Sequence, residues 1–574
     1  MSVNHIVVGA YFVFLVVLGE AFRRFNRNLS DFFRAGCKGC WWLIGATVFM
    51  SDISSGSFVA NGGLAYDGGW TITLVYFVNV LCFIVNAFGL AGWFRQLRVI
   101  TYPEAIRQRF GHRLELAYSY FYILMYLPIA GLQLWSVAIF TRGIFGFDVE
   151  TTIILVGAIM TIYAFVGGSW AIMAADFVQG LILFSLTILI AVLCLIKVGG
   201  IDGLFGLIRS EHLSHQFAAI KAASPRPDGK FGPVWLISVL LLQVFANNGL
   251  YYGSTRFYSA KDGRTARQAS LLVAALMLVG GSIWFIPPIV GRLLYSHQIE
   301  HIPIANPAES AFAVTSLNLL PNGLAGLMLV AIFSVSMSSI QGNLNTSAAI
   351  FVRNALPGLR RLLGLPPKGG DGMLAGRLFT LAAGIIIIAC GLRYAGHSTR
   401  GVWEELFKFH AWTSPALMAP MFLCLFIRRI PRWGPFVAMG AGLAASVPPE
   451  FLAHPWHPQT IVVLGTGVTT LVLLLSTLGW RREPETFKHQ VSEFFRRMRT
   501  PVDFAEEVGP ENDHIQFKII GWFATGLGCL SLCILLAPNP PGARWGILFV
   551  SCCIGGVGLA MLRLAKRHRP SLKK

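Results

Sequence analysis

WWLIGATVFMSDISSGSFVANGGLAY, residues 41–66, is long enough to cross a lipid bilayer, yet its centre is wrong for a plain membrane helix. Met50-Ser51-Asp52-Ile53-Ser54-Ser55-Gly56-Ser57 sets a carboxylate, four hydroxyls and a glycine where lipid-facing helices carry Leu and Val. A charged side chain at bilayer depth costs about 2.5–3.5 kcal/mol on insertion scales, so it faces a protein interior and a pathway. Ser competes for backbone hydrogen bonds, and Gly adds backbone freedom. The stretch therefore predicts a helix broken near residues 51–56, its freed carbonyls and hydroxyls turned toward a bound ion or solute. Irregular backbone at that depth persists only where protein buries it or where it lines a cavity. The competing reading is a polar patch that cements two neighbouring helices.

Working outward, the 574 residues are 55% hydrophobic and 13% charged, the composition of an all-α integral membrane protein. Most of the 10 cysteines lie in apolar runs and read as small hydrophobes. Cys37 and Cys40 form one C-x-x-C without the two further ligands a structural zinc needs. No cofactor is expected. Residues 1–22 lack a basic start and a cleavage site, so they read as a retained first helix.

Fifteen apolar runs follow one another, predicting about 15 transmembrane helices. With Met1 outside and fifteen crossings, 35 of the 46 Lys and Arg fall in inner segments. That bias supports both the count and an inner C-terminus. It also excludes nucleic acid as partner of the net charge of +19, because the charge is spread over many inner loops. The expected partners are the lipid bilayer and a small solute. Outer loops hold no N-glycosylation acceptor, which leans toward the cell membrane of a bacterium, the inner one. Residues 197–232 form a longer outer loop. Residues 481–515 form a longer inner loop, whose TFKHQVSEFFRRMRTPVDF predicts an amphipathic helix lying on the membrane, or else a solvated connector. No G-x-x-x-x-G-K-[ST] occurs, so pumping driven by ATP is not expected of this chain.

A second interruption, Asn247-Asn248-Gly249, lies five spans after the first. Paired breaks at matching places in two halves point to a transporter's binding site. Five crossings invert the next unit, which places inverted repeats at 41–196 and 233–427. Residues 1–40 lead into them, and 428–574 add further helices. In AIFSVSMSSIQGNLNTS, residues 331–347, Ser334, Ser338 and Asn345 share a face and Ser338-Ser339 form a hydroxyl pair. Small hydroxyls alone read as packing; beside the first break they read as ligands for a small monovalent cation. Asp176 reads as an interfacial residue at a helix start. Lys408 reads as snorkelling outward or pairing with Glu404 or Glu405.

Several stretches together resemble the sodium:solute symporter family: DFFRAGCKGCWWLIGATVFMSDISSGSF, GGSWAIMAADFVQG, TRFYSAKDGRTARQASLL and MSSIQGNLNTSAAIFVRN, in family order across residues 30 to 427. The resemblance implies a leucine-transporter-type fold, with two inverted five-helix repeats, a leading helix and extra C-terminal helices. It implies sodium as coupling ion, held by the carbonyls of Met50, Ile53 and Val335 and the hydroxyls of Ser338 and Ser339. Asp52 stands where some members carry a sodium-linked aspartate, and Asp176 near the sodium exit route. The solute pocket would draw on Ser54, Ser57, Asn61, Asn247, Asn248, Tyr251, Tyr252 and Phe407, with Lys408 beside it. The chain departs from the family's sugar carriers at Thr255, Phe407 and Ser57, which weakens a simple sugar reading; Lys408, if it faces inward, favours a carboxylate on the solute.

The resulting expectation is a secondary active transporter, not an enzyme, that couples inward sodium movement to uptake of a small polar organic solute. The alternative is a membrane solute sensor or channel on the same fold, which would bind without accumulating.

Overall fold

Low polarity and unbroken helix-forming runs dictate helices, because lipid offers the backbone no partners of its own. The computed structural model describes all residues except 1–3, 5, 12, 15, 16, 18–34, 251–253, 365–371, 453–455, 510–512 and 568–574. Among the described residues the only sheet-like pairing is one isolated bridge, Gly39 to Ala260. Among the described residues nine helices are long and apolar enough to cross a membrane, ten with one bent pair counted, and three shorter apolar helices accompany them.

The bent pair is the stretch first quoted: α1, Trp41–Asp52, meets α2, Ser55–Gly68, at 63°. Next come α3, Thr71–Gln96, α4, His112–Phe145, and α5, Val149–Val198. Beyond the outer loop lie α6, Pro233–Asn248, and α7, Gly263–Leu294. α8 is Leu324–Ile350, α9 is Val402–Leu423, and α10 is Glu485–Arg499. Helical bonding runs through all 50 residues of α5. At 1.5 Å per residue that is ~75 Å, over twice the hydrocarbon thickness.

α8 is the axis of the molecule. It is apolar or hydroxyl-bearing on every face, the pattern of a helix with no lipid-facing side, and its apolar stretch is wholly buried. α1 is buried from Trp42 to Met50 and packs on α8, α5 and α7. Close packing with α7 needs a small residue: a Cβ at Gly45 would stand 3.0 Å from the Ala269 carbonyl.

α10 differs from the expected membrane-surface helix. Its apolar face, Phe487, Val491, Phe494, Phe495 and Met498, is buried against protein, on the helix Tyr102–Phe110 and the end of α3. Arg109 explains the docking. It is fully buried, lies 5.3 Å from the Phe495 ring and donates to the Arg428 carbonyl at 2.7 Å. The flanking loop adds further ties. Arg98 grips Glu507 through Nε and Nη2 at 2.7–3.0 Å. Lys261 pairs with Asp513, and Gln516 donates to the Lys38 carbonyl at 2.8 Å.

Candidate functional site

The first break is two residues wide. Ile53 and Ser54 are both extended, with φ −100° and −147°. A continuing helix would send the Ser54 and Ser55 amides to the Met50 and Ser51 carbonyls. Instead Ser54 N–H reaches Ser57 Oγ at 3.4 Å, and Ser55 N–H donates to Ser336 Oγ at 2.8 Å. The two carbonyls thus lose their regular helical donors, and carbonyls at a helix C-terminal end carry partial negative charge that suits a cation. Ser54 and Ser57 form the capping box of α2, which satisfies donors at its start. Ser55 Oγ is held by Ser136 and by the Gln133 carbonyl on α4.

Ser336 therefore docks the break onto α8, within one turn of Val335, Ser338 and Ser339. All four are buried. Among the described residues Ser338 Oγ, Thr47 Oγ1 and Asp176 Oδ2 have no partner at close hydrogen-bond distance. Yet Asp176 has Ser338, Thr47 and the Arg256 guanidinium as its polar neighbours. A buried carboxylate with two hydroxyls beside it supplies oxygens of the kind a small cation takes as ligands. The residues present thus fit sodium. Ser339 Oγ is engaged by Gln133, at 3.1 Å from Nε2. Ser334 is committed elsewhere, to Tyr11 at 2.5 Å. Arg256 reaches Asp176 by lying against Gly342, where a Cβ would stand 1.5 Å from its Nη2.

The second break ends α6 at Asn248, with Gly249 extended at φ −85°, ψ 160°. α3 spans both breaks. Asn79 Nδ2 lies 3.5 Å from Asp52 Oδ2, and its Oδ1 accepts from Asn247 Nδ2. One heptad on, Asn86 Nδ2 donates to the Asn247 carbonyl at 2.8 Å. Between the breaks lies a cavity of about 240 Å³. Of the expected solute residues, Ser54, Ser57, Asn61, Asn247 and Phe407 line it, as do Asp52 and Ser339. Asn248 is buried but does not line it. Lys408 is directed elsewhere, its Nζ 5.1 Å from the Trp412 ring, so it gives no support to a carboxylate in this cavity. Tyr251 and Tyr252 lie outside the described residues.

Asn79, Asn86, Gln133, Ser336 and Thr47 were not singled out from sequence. Asn79 and Asn86 left a signal, two amides seven apart on one face of an apolar run. The other three resemble ordinary packing residues.

Two buried charged groups lie on short elements beyond the cavity. Glu309, on the turn Pro307–Ser310, sits between Gly63 of α2 and the start of α9. It is buried and accepts from Trp403 N–H at 3.1 Å. Burial first, then the neighbouring Glu404 charge, pushes its carboxyl up to about 8. Lys221, on the outer loop, donates to the Gly68 and Ala218 carbonyls at 3.0 and 2.8 Å; burial pulls its ammonium down to about 8.

Comparison with known proteins agrees with this geometry. A family model described as the sodium:solute symporter family matches residues 32–442. Sodium/glucose cotransporter 2 of Rattus norvegicus is 26% identical over 495 residues, 78% of this chain and 71% of its own. Sodium/sialic acid symporter NanT of Aliivibrio fischeri is 22% identical over 441 residues, 75% of this chain and 84% of its own. A solved Na+-coupled sialic acid symporter, substrate-bound and outward-open, matches with TM-score 0.71 at 19% identity, over 84% of this chain and 98% of its own. Mhp1, a nucleobase-cation-symport-1 family transporter, matches with TM-score 0.52 at 16% identity, over 81% and 98%. At these identities the two structures share the fold.

Proposed function

Because the chain belongs to the sodium:solute symporter family, we propose that it couples inward sodium flow to uptake of a small polar organic solute through the cavity between its two breaks. Sodium would be held by the Met50, Ile53 and Val335 carbonyls and the Ser338 and Ser339 hydroxyls, with Asp176 close by. The ion supplies charge that fixes the break in one conformation. This chain's residues do the rest: Ser336 anchors α2, Gln133 orients Ser339, and Ser54, Ser57, Asn61 and Asn247 present polar groups to the solute.

The single observation that carries the reading is the Ser55 N–H to Ser336 Oγ bond, 2.8 Å, which sets the broken backbone against the α8 serines. Coupling then follows from linkage: if sodium orders the break that solute contacts, each raises the other's affinity by the same factor. Each charge crossing 100 mV adds about 2.3 kcal/mol. Two inverted five-helix repeats, at 41–196 and 233–427, agree with breaks five spans apart. Fifteen crossings is the count that the fifteen apolar runs of the sequence support. The one-sided basic residues support an outer N-terminus and an inner C-terminus in a bacterial inner membrane.

The test is uptake of sugars, amino acids and carboxylates by proteoliposomes, with and without an imposed sodium gradient. Accumulation should need the gradient. Ser338→Ala should weaken the sodium requirement's affinity about tenfold, near 1.4 kcal/mol. Full sodium dependence in that variant removes Ser338 from the site.

A further inference from the structure

The cavity holds one acid and no strong base. Among its lining residues the titratable groups other than tyrosines are Asp52 and His410. His410 Nδ1 is within 3.1 Å of Ser414 Oγ. Among the described residues no Lys or Arg lines it. The nearest candidates are spoken for: Lys408 lies over Trp412, and Arg256 stands beside Asp176.

Asp52 is half-buried at the end of α1. Among the described residues the one hydrogen-bond partner of its carboxylate is the Asn79 amide, at a long 3.5 Å. Its electrostatic neighbours, Tyr76 and Cys82, are on α3. The Thr47, Asp176 and Ser338 oxygens assigned to the sodium side are instead clustered with one another on α1, α5 and α8. Asp52 therefore faces the solute side of the break. A carboxylate removed from water without a counter-charge is costly, and a cation brought to it recovers that cost. Aromatic rings of Tyr76, Tyr122, Trp403 and Phe407 also line the cavity, and ring faces favour organic cations. A bare metal ion would want a tight shell of oxygens; a wide, amide- and ring-lined cavity suits a larger ion.

Resting on the symporter reading above, we propose that the solute carries a protonated or quaternary nitrogen and no net negative charge, and that Asp52 receives that nitrogen. The class is ammonium-bearing small molecules, zwitterions included; carboxylated sugars and simple organic acids fall outside it.

The experiment is a thermal-shift titration of the purified full chain in sodium and in potassium buffer. Probes are matched by shape and differ in charge: glucosamine, glucose and glucuronate; choline and 3,3-dimethylbutan-1-ol; proline and cyclopentanecarboxylate. At least one ammonium-bearing member should raise the melting midpoint, with its uncharged or anionic counterpart at least tenfold weaker. Asp52→Asn, nearly the same shape, should erase that difference while the shift given by sodium alone remains. The proposal is overturned if a neutral or anionic member binds as well as its cationic counterpart, if no ammonium-bearing member binds, or if Asp52→Asn keeps the discrimination. It is also overturned if Asp52→Asn loses the sodium shift and Ser338→Ala keeps it, which makes Asp52 a sodium ligand. Should wild type ignore sodium yet still discriminate by charge, the coupling reading falls and this one stands.

Discussion

Asn79 is one amide with two tasks. It approaches Asp52 with its nitrogen and receives Asn247 with its oxygen. Replacing it with Ala leaves the buried Asn247 amide without that partner, and an unsatisfied buried polar group costs about 1–3 kcal/mol. We expect Asn79→Ala to lower stability by that amount and to weaken solute binding, read by chemical unfolding in micelles and by the thermal shift. Unchanged stability would mean that the two amides do not meet. This residue also marks a limit of reading sequence. The charge at Asp52 and the hydroxyl pair at Ser338-Ser339 announce themselves, because nothing but a site justifies them in lipid. The spaced pair Asn79 and Asn86 is a weaker signal, since amides commonly pair neighbouring membrane helices.

At the scale of the element, the two breaks were legible and the rotation of the helices was not. Residues 51–56 and 247–249 carry the composition of interrupted helices; the first is a break between two helices, and at the second α6 ends. α9 has polar residues on more than one face, so its sequence alone could not say whether Phe407 or Lys408 points inward. The structure turns Phe407 to the cavity and Lys408 to Trp412. Likewise α10 has the strong amphipathicity of a membrane-surface helix, but its partner is the buried Arg109 and its neighbours, which no local pattern reveals.

Two predictions belong to elements. The start of α9 rests on Glu309, whose carboxyl is raised to about 8 by burial and by Glu404. A proton held more tightly in the folded state stabilises it fully below about pH 4.5, and that contribution is lost as pH rises through about 8. The melting midpoint should therefore fall across this window, and Glu309→Gln should flatten the fall; an unaltered profile would exclude Glu309 as its source. On α8, Gly342 makes room for Arg256. Gly342→Ala should push the flexible guanidinium away from Asp176, leaving the protein folded and the sodium shift several-fold stronger, because a competing cation has left. The same titration in sodium chloride checks it, and an unchanged or weaker response counts against the role given to Arg256.

For the whole molecule, the segment around α10 ties parts far apart in sequence: Arg98 to Glu507, Gln490 to the Arg107 and Gln108 carbonyls, Lys261 to Asp513, and Gln516 to Lys38. The exposed Arg98–Glu507 pair is worth about 0–1 kcal/mol, so the apolar wedge dominates. Phe495→Ala empties a buried site under Arg109 and Arg428 and should cost about 3–5 kcal/mol, measured by unfolding of the purified protein. A cost under 1 kcal/mol would mean that the wedge is slack.

The amide bridge across α3 also bears on engineering. Anyone wishing to give this carrier another's cargo by transplanting the kinked segment alone would strand the graft, since its acid is addressed from a neighbouring stave that also holds the opposite kink. Three pieces must travel as a set, 41–68, the face of α3 that bears Asn79 and Asn86, and the end of α6, or the recipient inherits a receptor with one wall missing.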